Sequence, residues 1–173
     1  MDEWYAYPLL IFVGFIVGFI NTVAGGGSLL SLPILIFLGL PSTLANGTNR
    51  VAVIFQTAMA TAGFKSKGVS TFPFNLYLGC SAFIGSIIGA NLAVDISGAL
   101  FNRILAVVMI CVVLIIAFGP KISINEVQER LTGKYLWLGI IAFFFFGIYG
   151  GFINAGIGFI IILFLHYINK MTL

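Results

Sequence analysis

The chain has 173 residues, of which 61% are hydrophobic and only 8% charged, with a formal net charge of +3. Ordinary soluble domains carry roughly 25% charged residues, so there are too few charges here to clothe a water-facing exterior. The basic residues stand singly between apolar runs, which argues against a nucleic-acid partner, and stretches near the ~20 residues needed to cross a bilayer recur along the chain. The expected fold class is an all-α polytopic membrane protein with the lipid bilayer as its first partner.

Asp2 and Glu3 stand where a signal peptide needs positive charge, so residues from 8 onward read as a retained membrane helix. The first apolar stretch runs from Pro8 to Ala24 and is interrupted by Gly25-Gly26-Gly27-Ser28. A second runs from Leu29 to Leu40, contains Pro33 and stops at Pro41. Twelve residues make a helix about 18 Å long, too short to cross alone. A helix-break-helix hairpin that enters and leaves on one side fits both lengths, and the three glycines supply the freedom a break requires.

After a polar linker, Ser42–Asn46, spans are expected at about 47–64, 72–94 and 100–118, with Pro73 in the first turn of the second of these. A hydrophilic loop from Lys121 to Lys134, with Glu126, Glu129 and Arg130, should face the cytoplasm. A further apolar region then runs from Tyr135 to the end. Cys80 and Cys111 lie inside hydrophobic segments without metal-ligand spacing, and no cofactor is expected.

Gly18-Phe19-Ile20-Asn21 recurs letter for letter as Gly151-Phe152-Ile153-Asn154, and the match extends at the same offset of 133. Gly14 falls on Gly147, Gly25 on Gly158, Phe12 on Phe145 and Leu30 on Leu163. Apolar composition alone scatters Phe and Ile coincidences but does not align glycines and an asparagine. The chain therefore divides into a first repeat, 1–120, a loop, 121–134, and an incomplete second repeat, 135–173. Leu173 corresponds to Leu40, so the expectation is a truncated product or fragment, completed within a homo-oligomer or by a second chain.

If the first pair of arms returns to its starting side, Lys65, Lys67, Lys121, Arg130, Lys134 and Lys170 share one side against Arg50 and Arg103. Basic residues favour the cytoplasm, so the second copy should begin on the side opposite the first, which is an inverted repeat. Duplicated halves around glycine-broken helices are a common construction of secondary transporters.

The candidate binding constellation is Asn21 with Gly25, Gly26, Gly27 and Ser28, facing Asn46, Thr48, Asn49 and Arg50. A helix starting at Ser28 would aim unpaired N–H groups and its positive dipole end into the membrane interior, where small anions bind readily. Arg50 is the one charge near this cluster; its planar guanidinium suits an oxyanion, and it equally fits an interfacial snorkelling arginine. Asn154, Gly156 and Gly158 form the counterpart in the second copy. Gly14-xxx-Gly18, Gly85-xxx-Gly89 and Gly147-xxx-Gly151 read as helix-packing stripes. Gln56 fits an inter-helix hydrogen bond or a pathway, and His166 and Arg103 fit interfacial positions. No Asp or Glu falls inside an apolar run, which favours an anionic substrate.

These residues bring the chain close to a known family. Gly18-Phe-Ile-Asn21-Thr-Val-Ala-Gly-Gly-Gly-Ser28, Pro33, Asn46-Gly-Thr-Asn-Arg50, Lys67-Gly68 and Tyr149-Gly-Gly-Phe-Ile-Asn-Ala-Gly156 resemble the TauE/SafE sulfite exporters. The resemblance covers essentially the whole chain. It implies a multi-pass plasma-membrane (inner-membrane) transporter, not an enzyme, that moves sulfite, an organosulfonate or a related sulfur-containing anion. The alternative is a non-transporting membrane subunit or an inactive transporter fragment.

Overall fold

A computed structural model describes residues 6–68, 72–118 and 130–171. Asp2, Glu3, Leu173 and most of the loop expected at 121–134 lie outside them. Seven helices follow in order: α1 Ala6–Ala24, α2 Ser28–Phe37, α3 Ser42–Ser66, α4 Phe74–Asp95, α5 Gly98–Phe118, α6 Lys134–Phe152 and α7 Ile157–Tyr167. There is no strand among the described residues, and α1, α4, α5 and α6 are each long and apolar enough to cross a bilayer.

Helix α1 stops where Gly25 takes a left-handed φ of 69°, and α2 begins three residues later. The return arm is shorter than its expected 29–40 because Gly39, at φ 92°, closes it in a Schellman turn. There the Gly39 amide donates to the Ile36 carbonyl at 2.9 Å and that of Leu40 to Leu35 at 3.1 Å. The resulting 10-residue α2 runs back beside α1. One narrow cavity is lined by Leu10, Val13, Gly14 and Val17 on one arm and by Ser31, Ile34 and Leu35 on the other. Helices α6 and α7 make the second hairpin, with the rings of Phe143 and Phe146 on Phe164, 6.2 and 5.4 Å apart.

One boundary differs sharply from expectation. The polar stretch Ser42–Asn46 is the first turn of α3 and not a linker, and the helix begins five residues before Gly47. Ser42 and Asn46 are buried in this turn and donate across helix interfaces to Asn102 and to the Phe152 carbonyl. The same polarity leaves α3 outside the four helices apolar enough to span, although its 25 residues are sufficient in length.

Helix α4 packs most closely on α6, and glycines make the approach possible. A Cβ on Gly147 would meet the backbone of Ala82, one on Gly151 that of Ser86, and one on Gly89 that of Ile148. The Gly85–Gly89 and Gly147–Gly151 stripes therefore serve packing, as their spacing implied. A second core joins the hairpins: Leu32 of α2, Phe101 and Leu105 of α5, and Ile153 and Ala155 of the second break are all buried. This core holds the second break, through Ile153 and Ala155, against α2, α4 and α5.

Candidate functional site

The site is organised along one face of α3. Ser42, Asn46, Asn49, Val53 and Gln56 recur at helical spacing, and all but Val53 bond across to another element. Ser42 donates to Asn102 of α5. The Asn46 amide donates to the Phe152 carbonyl at 2.9 Å. Asn49 gives a 3.0 Å bond to the Ser28 hydroxyl and accepts one of 2.6 Å from Ser31. Gln56 accepts from Asn21 at 2.6 Å.

These bonds stabilise a break that helical bonding leaves open. The first amides of a helix have no intrahelical acceptor. At α2, the Gly27 amide is satisfied by the Asn21 side-chain oxygen at 3.2 Å, while no partner is found among the described residues for the amides of Gly26 and Ser28. Gly26, Gly27 and Ser28 are all buried. Asn21 thus bridges the end of α1, the start of α2 and the middle of α3 through its two amide ends.

Arg50 does something different. Its guanidinium donates to the carbonyl of Gly151 and, at 3.0 Å, to that of Phe152. These are terminal carbonyls of α6, which lack intrahelical donors and carry the negative end of the dipole. Arg50 and Asn46 together cap that helix. At this cap Arg50 Nε and Asn46 Oδ1 are buried without a partner among the described residues.

The expected constellation is therefore divided by α3. Asn49 and Asn21, with Ser28, face the first hairpin. Arg50 faces the second and lines a cavity of about 540 Å³ with Ser86, Gly150, Gly151 and Asn154. That cavity is not lined by Gly26, Gly27 or Ser28. Thr48, which is exposed, lines the narrower space between α1, α2 and α3 with Asn49 and Gln56. Gln56 proves to be an inter-helix bond.

In the second break, Asn154 and Gly156 both adopt left-handed backbone, at φ 64° and 68°. The Tyr149 hydroxyl closes the turn on the Ala155 carbonyl at 2.5 Å. Gly158 touches Gly25: a Cβ on Gly25 would stand 2.5 Å from backbone atoms of Gly158. His166 lies in the last turn of α7, with its ring edge-on to Tyr167 at 5.0 Å. Arg103 is exposed.

Sequence reasoning passed over Ser31, Asn102 and Tyr149 as partners of the site. Ser31 carried a usable signal, since it follows Ser28 by three residues and so shares its helix face. Asn102 and Tyr149 carried none, because their partners lie 60 and 6 positions away with no shared periodicity.

An all-helical, multi-pass membrane protein with two broken hairpins in contact at their glycines is thus the class that fold and site define. The model of the family described as Sulfite exporter TauE/SafE matches residues 10–173, and the chain belongs to that family. A "probable membrane transporter protein" of Haemophilus influenzae is 32% identical over 150 residues, covering 87% of this chain and 58% of its own. The "probable membrane transporter protein YfcA" of Escherichia coli K12 is 32% identical over 151 residues, with 87% and 55% covered. The "probable membrane transporter protein ORF9" of a Sinorhizobium species is 28% identical over 156 residues, with 88% and 59% covered. The chain therefore spans between 55% and 59% of the length of these relatives. No solved structure matches the chain.

Proposed function

We propose that this chain is the substrate-holding part of an inner-membrane carrier that moves a small oxyanion, such as sulfite or an organosulfonate, by alternating access. The observation that carries the reading is Arg50. It is a cation held at a helix break, with one donor, Nε, buried and unpartnered beside a cavity that Asn154 also lines. A guanidinium already fixed by two carbonyls loses little side-chain freedom when an oxyanion takes a further donor.

The family's description as a sulfite exporter supports the substrate class, and the lack of a membrane-depth carboxylate in the apolar runs supports the sign of the charge. Asn21 and Asn154 would hold the two breaks in shape. The free amides at Gly26 and Ser28 would receive the anion only after the α1–α2 hairpin shifts relative to α3, which is a suitable movement for exchanging access between the two sides.

The test is binding of sulfite to the purified chain in detergent micelles, followed by isothermal calorimetry, with chloride and sodium as controls. Arg50→Gln should abolish the sulfite heat, and Arg103→Gln should leave it unchanged. Equal affinity in Arg50→Gln and the parent chain would make Arg50 a helix cap only and end this reading. In proteoliposomes, labelled sulfite flux from the same variants tests transport itself.

A further inference from the structure

The repeat supplies a comparison between two helices at an offset of 133, one covered and one bare. On α6, the face comprising Ile140, Phe144, Gly147, Ile148 and Gly151 lies against α4, and both glycines are buried. The same positions on α1 are Tyr7, Ile11, Gly14, Phe15 and Gly18. Tyr7 is 64% exposed, Ile11 75% and Phe15 78%, and a Cβ on Gly14 would meet nothing within 4 Å. A shallow apolar groove follows this face, lined by Tyr7, Pro8, Ile11, Phe12 and Phe15.

Lipid chains readily cover Phe and Ile. They gain nothing from glycines four residues apart, whose advantage is to let another backbone approach. On α6 that advantage is realised by α4, an apolar helix with its own glycines at 85 and 89. On α1 Gly14 is open, whereas a Cβ on Gly18 would stand 2.9 Å from Gln56 Nε2 of α3. The relatives, moreover, carry chain beyond the length matched here, since the match covers only 58% of one and 55% of another.

From this we infer that the Tyr7–Ile11–Phe15 face of α1, with Gly14, is the seat of an apolar membrane helix with small residues four apart. It would pack on α1 as α4 packs on α6, and its source is the chain that the relatives carry beyond the matched length. This inference rests on the repeat register, the exposed α1 face and the length of the relatives, and is independent of what the protein carries.

The probe is a synthetic peptide of residues 72–97, the α4 segment itself, added to the intact chain in phosphatidylcholine vesicles. A photoreactive phenylalanine analogue at Phe15 reports what lies against α1. The same analogue at Phe37, 87% exposed on α2, reports random encounters. Phe15 should cross-link to the peptide at saturable yield, and Phe37 should not. Gly14→Leu should lower the Phe15 yield by about fivefold or more, as should a peptide with Gly85→Leu and Gly89→Leu. A Cβ at position 14 meets nothing within 4 Å, and a parent-like unfolding midpoint checks that Gly14→Leu keeps the chain's own packing.

Yield that is insensitive to both sets of substitutions, or absent, overturns the inference. So does a cross-link between two copies of the chain that excess peptide cannot displace, which would make this face a homodimer contact.

Discussion

Gly25 and Gly158, equivalent positions in the repeat, pack backbone against backbone. A Cβ on Gly158 would stand 2.6 Å from the Gly25 carbonyl oxygen, and one on Gly25 would stand 2.9 Å from the Phe159 nitrogen. The two hairpin breaks therefore share one point of support. Anything that widens it moves both.

Overpacking at that point is expected to be costly. Gly158→Ala should destabilise the chain by about 1–3 kcal/mol, the usual penalty for an extra methyl in a filled site. Gly25→Ala should cost more, because roughly 1–2 kcal/mol of left-handed backbone strain is added at its φ of 69°. Reversible unfolding in mixed micelles reads both. Parent-like stability in Gly158→Ala would contradict the contact.

Repeat-equivalent glycines should also respond in opposite ways. Gly14→Ala meets nothing within 4 Å, so stability should stay within about 0.5 kcal/mol of the parent. Gly147→Ala drives its methyl into the Ala82 backbone and should cost about 1–3 kcal/mol while loosening α4 from α6. Energy transfer between dyes on α4 and α6 measures the separation directly. Similar losses in the two variants would contradict the difference in packing between the two positions.

Much of this architecture was legible beforehand, for reasons of length. Twelve apolar residues cannot cross a bilayer, so Leu29–Leu40 had to turn back, and three glycines marked the place. The glycine pairs at 85, 89, 147 and 151 declared close packing, although not which helix met which. Ser42–Asn46 misled because a run of polar residues looks alike whether it faces water or a row of buried partners. Arg50 was found as the one charge beside the break. Its attachment to the Gly151 and Phe152 carbonyls, 101 and 102 positions away, leaves no trace in local pattern. The Arg50 cavity without Gly26–Ser28 is a consequence of the roughly 100° turn between adjacent helical residues: Asn49 points to one hairpin and Arg50 to the other.

Asn49 is expected to be the principal polar tie of the first hairpin to α3. Its amide holds Ser28 and its oxygen holds Ser31, so Asn49→Ala removes both bonds and leaves the buried Ser28 hydroxyl without its donor. The loss should be about 1–3 kcal/mol. A double-mutant cycle with Ser28→Ala should return a coupling above about 0.5 kcal/mol, since the two side chains share one bond. Additive effects would mean that the bond contributes nothing to holding the break.

Arg50→Lys and Arg50→Gln separate capping from anion recognition. A lysine ammonium retains the charge and three donors, so it can still satisfy the last carbonyls of α6. It has no planar fork, however, and nothing in place of the unpartnered Nε. Arg50→Lys should therefore stay within about 1 kcal/mol of the parent in stability, whereas Arg50→Gln should lose about 1.5–3 kcal/mol with the charge-assisted bonds. Sulfite affinity should fall in both, by about tenfold or more in the lysine variant. Unfolding midpoints and sulfite titrations on the same micellar samples give the two readouts together. A lysine variant that binds sulfite as tightly as the parent would show that charge alone suffices and that the unpartnered Nε plays no part.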